Sequence, residues 1–134
     1  MFRDTHLNAR TITSMVLETI YLLREAVKNA ARNEIYISIE IKSLRDVIFQ
    51  KLLEEYKIAI YSSEEGLHED LEMLQKLSLL TVNDDKIIIN REAFLNATKF
   101  VEKQEELLKN DRYATVILKK LKQRAQEIQI RPLR

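Results

Sequence analysis

Leu67-His68-Glu69-Asp70-Leu71-Glu72-Met73-Leu74-Gln75-Lys76-Leu77-Ser78-Leu79-Leu80, continuing into Thr81-Val82-Asn83-Asp84-Asp85-Lys86-Ile87-Ile88-Ile89-Asn90, is the stretch on which the fold turns. Leu67, Leu71, Leu74 and Leu77 recur at steps of three and four, which places them on one face of a helix. Ser62, with Glu65 three residues on, reads as a capping box opening that helix. Residues 79–82 and 86–90 are short β-prone runs, and Asn83, Asp84 and Asp85 between them are turn formers. That pattern predicts a hairpin.

Upstream, Ile35, Ile37, Ile39 and Ile41 alternate with other residues, the period of a strand with one buried face. Ser43 is then placed to cap a helix whose spacing runs through Leu44, Val47, Ile48, Lys51, Leu52 and Glu55. Further back, Ile12, Val16, Ile20, Leu23, Val27 and Ala30 predict a helix over residues 11–33. Met15 and Leu22 widen its stripe, so this helix suits both a core and a dimer interface. Downstream, Asn90 is placed to cap a helical region with Phe94, Ala97, Val101 and Leu108 on one face. Asn110-Asp111 interrupts that region. Leu118, Leu121, Ala125 and Ile128 then follow the spacing of a coiled-coil seam, and Pro132 is expected to end the structure.

At 134 residues the chain matches the size of one domain, since compact domains commonly hold about 100–150 residues. Hydrophobic residues make up 46% and charged residues 32%, the balance of a globular protein rather than a disordered one. No cysteine is present, which excludes disulfides and thiolate zinc sites. No apolar run is long enough to span a bilayer, and Arg3, Asp4 and His6 near the start do not suit a secretory signal. A cytoplasmic protein with no membrane partner is the expectation. A single glycine and a single proline favour long helices with short connections. The abundance of Lys, Glu, Ile and Leu resembles the composition of hyperthermophile proteins.

The order helix, strand, helix, helix, hairpin, helix, with the helix and exit of 67–80 and the hairpin of 81–89, resembles the winged helix-turn-helix family. The resemblance covers residues 35–90. With long helices on either side, the chain is similar to dimeric regulators of the MarR and PadR kinds. It is similar also to small archaeal chromatin-associated winged-helix proteins. The resemblance implies a mainly α fold with a small β-hairpin wing, in one domain spanning 1–134. That domain comprises an N-terminal helix (11–33), a winged-helix module (35–90) and C-terminal helices with a basic end (91–130). It further implies DNA as a partner, a transcriptional or chromatin role, and a homodimer built through the first and last helices. Ser78 stands where the family usually has glycine, and the wing carries acidic residues.

Charge qualifies the DNA reading. Between Ser43 and Asn90 five cations face ten anions, and the helix that would enter the major groove opens with Glu64, Glu65 and Glu69. Those carboxylates suit the helix dipole but repel phosphates. Ser62, Ser63 and His68 are the candidates at that helix tip for base contacts. From Lys119 to Arg134 six cations face only Glu127, so Lys119, Lys120, Lys122 and Arg124 are the candidates for phosphate contacts. Net charge is only +1. The acidic third helix also fits a second expectation, an adaptor that binds protein in a multi-subunit assembly, of cellular, viral or plasmid origin.

Motifs of catalysis are absent. Gly66 is the only glycine, so no glycine-rich phosphate loop can form, and no nucleophile motif surrounds any serine. Glu64 with His68, and Glu65 with Glu69, have spacing compatible with a metal, but acidic first turns on surface helices need none. Tyr113 beside Arg112 could stack on a base, although most aromatics fall on apolar faces suited to the core. No enzymatic activity, metal or cofactor is expected.

Overall fold

The computed structural model describes residues 5–30 and 33–132, with the side chains of the first helix from Leu17 onward. It is mostly helical with one small antiparallel sheet. Helix α1 (Thr5–Lys28) leads to strand β1 (Tyr36–Glu40), then helix α2 (Ile41–Asp46), which continues as a π-helical segment (Val47–Glu55). Helix α3 (Glu64–Lys76), strands β2 (Thr81–Asn83) and β3 (Lys86–Asn90), and helices α4 (Arg91–Ala97), α5 (Phe100–Leu108) and α6 (Arg112–Ala125) follow. Strand β4 (Ile130–Pro132) comes last.

The isoleucine alternation builds the sheet. In the β1–β3 register, Ile37 lies opposite Ile89 and Ile39 opposite Ile87, and all four side chains are fully buried. Shifting either strand by one residue would turn these isoleucines to the opposite face. Sheet order is β2-β3-β1-β4. Ile35, counted with the strand in the sequence, lies outside it and is exposed.

Pro132 does not end the structure as expected. Residues Ile130–Pro132 turn back and pair with β1 on the side away from the hairpin. Proline is tolerated there because a sheet edge leaves its missing N–H without consequence. The start of α2 differs as well. Glu40 occupies the cap position, and the Ser43 hydroxyl donates to the Glu40 carbonyl at 3.0 Å while accepting the Gln129 N–H at 2.9 Å. Ser43 therefore ties α2 to the strand returning from the chain end, a partner 86 residues away.

Helix α1 ends at Lys28, short of the expected 33, with Asn29 and Ala30 closing onto Ala26 and Val27 carbonyls; Ala31 and Arg32 lie outside the described residues. Ile12, Met15 and Val16 carry side chains outside the described set, whereas Ile20, Leu22, Leu23 and Val27 are buried. The seam of Leu118, Leu121, Ala125 and Ile128 packs within the chain, because α6 lies along α1 and the π-helical segment. Its apolar face is thus occupied by the chain's own core. Asn90 and Asp111 do cap α4 and α6, accepting from the N–H groups of Ala93 and Ala114.

Leu77 is a further correction: it caps the C-terminus of α3 and is exposed rather than buried. Ser78 follows with φ of 63°, the left-handed conformation that favours glycine. The Leu79 N–H returns to the Leu74 carbonyl and the Ser78 N–H to that of Gln75, the pattern that closes helices with a left-handed residue. Leu79 is thereby swung inward, taking the place on the apolar face that the helical spacing had assigned to Leu77.

Candidate nucleic-acid interface

The tip of α3 is built around Tyr61. Its hydroxyl donates to Asp70 Oδ2 at 2.5 Å and lies 2.6 Å from Thr19 Oγ1. With its one proton given to Asp70, Tyr61 accepts from Thr19, so α1, the 56–63 loop and α3 are joined by one chain of hydrogen bonds. Burial, and then the bond to Asp70, push the Tyr61 hydroxyl well above the ordinary tyrosine range. Gly66 fits against the same ring, where a Cβ would come within 3.1 Å of Tyr61 Cδ1.

This packing sets the entry to α3 one residue later than the sequence suggested. Ser63, extended at φ −158° and ψ 163°, is the cap and makes no side-chain capping bond. The Ser62–Glu65 capping box is therefore not formed. Ser62, Ser63, Glu64, Glu65, His68, Glu69 and Glu72 are all exposed. Glu65, Glu69, Glu72 and Lys76 recur at steps of four, three and four, so α3 presents an acidic stripe ending in one lysine. Arg45, the cation nearest its start, is drawn to Glu64 at 3.3 Å. Among the described residues no group of three or more His, Asp or Glu side chains could hold a metal ion.

The basic end is divided by the fold. Arg124 binds Glu55 at 2.7 Å and also Glu127, and its guanidinium lies 4.9 Å from the centre of the Tyr56 ring. The hydrogen bond to Glu127, first among its causes, raises the pKa of Arg124 further still. Lys120 Nζ sits 4.4 Å from the same ring centre, a cation–π contact. Lys51 approaches both Glu55 and Glu127, at 3.7 and 3.8 Å. Arg131 pairs with Glu40 at 3.0 Å. Lys119 and Lys122 are exposed and take part in no ion pair among the described residues, as does Arg112 at the start of α6. Arg134 lies outside the described residues.

Of the residues the sequence singled out, the structure thus brings Lys120 and Arg124 together over Tyr56 and leaves Lys119 and Lys122 facing solvent. Ser62, Ser63 and His68 share the exposed tip of α3. Glu55 and Tyr56 were missed. Their spacing carries no local signal, since 69 residues separate Glu55 from Arg124.

Arg24 was missed too, and it is 2% exposed. Its Nη1 donates to the Leu95 carbonyl and to Thr98 Oγ1, both at 2.8 Å, and Nη2 meets Glu102 Oε2 at 2.6 Å. The guanidinium thereby satisfies the last turn of α4, where unpaired carbonyls and the helix dipole favour a cation. Beside it a cleft of about 630 Å³ opens, lined by Lys28, Glu92, Asn96, Lys99 and Glu102.

Comparison with known proteins finds no matching family model, no matching curated protein and no matching solved structure. No described helix is long and apolar enough to cross a membrane.

Proposed function

We propose that the chain is a winged-helix DNA-associated protein, a non-enzymatic cytoplasmic regulator or chromatin factor that meets the phosphate backbone through α6. One observation carries this reading. The helix–strand–helix–helix–hairpin order, with β1 paired to β3 inside the sheet order β2-β3-β1, is the arrangement in which a hairpin wing stands beside a groove-entering helix. Lys119 and Lys122, exposed and free of ion pairs among the described residues, are the phosphate contacts. Lys120 and Arg124 hold the supporting surface. The α3 tip, with Ser62, Ser63 and His68, is the lesser contact because Glu64, Glu65 and Glu69 surround it.

Fluorescence anisotropy against generic duplex and single-stranded DNA over a salt series tests the reading. The charge reversal Lys119→Glu/Lys122→Glu weakens binding to all sequences alike and flattens the salt slope by about two. Binding that is unchanged in this variant removes α6 from the interface.

The acidic stripe of α3 favours a second reading, a winged-helix adaptor that docks on a basic protein surface. No binding to either form of DNA at low salt, together with a stoichiometric partner lost on Glu69→Lys/Glu72→Lys, selects the adaptor.

A further inference from the structure

Five of the large hydrophobic side chains left exposed among the described residues lie on α5 and α6: Phe100, Leu107, Leu108, Tyr113 and Val116. They form two unlike surfaces. On α5, Phe100 and Leu107 are seven residues apart and share a flank. Leu108 beside them opens into a groove of about 110 Å³, shared with Leu17, Tyr21, Val101 and Leu118, whose other lining includes Glu18 and Glu105. This surface is apolar and acidic. On α6, Tyr113 and Val116 lie on the flank that continues into Lys120, with Arg112 just before them. Helix α6 holds no Asp or Glu, against cations at Arg112, Lys119, Lys120, Lys122 and Arg124. This surface is apolar and basic.

Leu118, which lines the groove, is two residues from Val116, so the two surfaces point to opposite sides of α6 and cannot satisfy each other within one chain. Each is complementary to the other in both charge and hydrophobicity. We propose that they are the two halves of a homodimer interface: the Tyr113–Val116 flank of one copy seats in the α1–α5 groove of a second copy. A two-fold axis makes the contact twice, so two small patches together approach the roughly 800 Å² per partner of a stable interface. The inner faces of α1 and α6 stay in the monomer core. Lys119 and Lys122 lie on another flank of α6 and remain open, so the dimer neither requires nor blocks DNA.

Sedimentation equilibrium without nucleic acid tests the proposal. The wild-type chain shifts from the 15.9 kDa monomer to twice that mass as its concentration rises to about 100 μM. Tyr113→Asp/Val116→Asp removes the apolar flank and sets carboxylates against Glu18 and Glu105, and this variant stays monomeric. Leu107→Glu/Leu108→Glu, on the groove side, does the same. These side chains are exposed in the monomer, and an unchanged thermal melt at low concentration verifies that both variants fold. Mixing the two variants restores one intact contact of the two, so a heterodimer forms at reduced affinity. A wild-type chain that is monomeric throughout, variants that dimerise as well as wild type, or a mixture that stays monomeric would each overturn the proposal.

Discussion

Arg24 and Arg124 carry the same guanidinium into two different situations. Arg24 is sealed between α1 and the α4–α5 junction and spends its donors on a carbonyl, a hydroxyl and one carboxylate. Arg124 lies along the surface where α6 meets the π-helical segment, among Glu55, Glu127, Lys51 and the face of Tyr56. Listing partners makes Arg124 the richer of the two, yet the solvent reverses that order. Water can replace what Arg124 binds, and salt screens it. Nothing can replace Arg24 at the Leu95 carbonyl and Thr98, which is fully buried. The number of contacts is a poor guide to stabilisation; what decides is whether the groups left behind can reach water.

The largest expected effect breaks the inner site. Arg24→Met keeps the apolar stem but strands the Leu95 carbonyl and Thr98, and it should cost about 3 kcal/mol in urea unfolding. A cost no greater than that of a surface arginine would end the contrast. Next comes the Tyr61 chain, which has the same buried character without a formal charge. Tyr61→Phe leaves Thr19 and Asp70 without their shared partner and should cost about 2 kcal/mol. It also has a pH signature. The folded state holds the Tyr61 proton past the pH, about 10, at which the unfolded chain releases it. The stabilisation is therefore whole below that pH and declines as pH rises toward the folded value. Melting temperature should fall above about pH 10, less steeply in Tyr61→Phe, with Tyr21, also raised by burial and Glu105, accounting for part of the remaining slope. The smallest effect is Arg124→Gln. Its thermal shift should be the least of the three and should vanish at high salt; a shift that matches Arg24→Met and persists in salt would show that the surface network acts as a buried one.

The sequence carried the local decisions. Alternating isoleucines specified β1, because a strand with one dry face admits only one register. Leu67, Leu71 and Leu74 specified the buried face of α3, and Asn90 and Asp111 the starts of α4 and α6, because a cap is a bond between near neighbours. The exposed acidic face of α3 and the basic face of α6 were legible for the same reason, since helical spacing follows from backbone geometry. Where the sequence misled, a distant partner or a backbone bend intervened. Ser43 looked like a cap until Gln129 arrived beside it, and Pro132 looked like an end until β1 offered an open edge. Leu77 yielded its place to Leu79 through the left-handed turn at Ser78.

Tertiary structure alone decided which charges are available. Residues 119–134 read as an almost unopposed basic segment, but folding carries Glu40 to Arg131 and Glu55 to Arg124 and slides Tyr56 beneath Lys120. The open cations narrow to those on the outer side of α6. Sequence patterns determine which way a side chain points from its own helix or strand. They do not determine what the rest of the chain brings to meet it, because that depends on contacts closed across tens of residues.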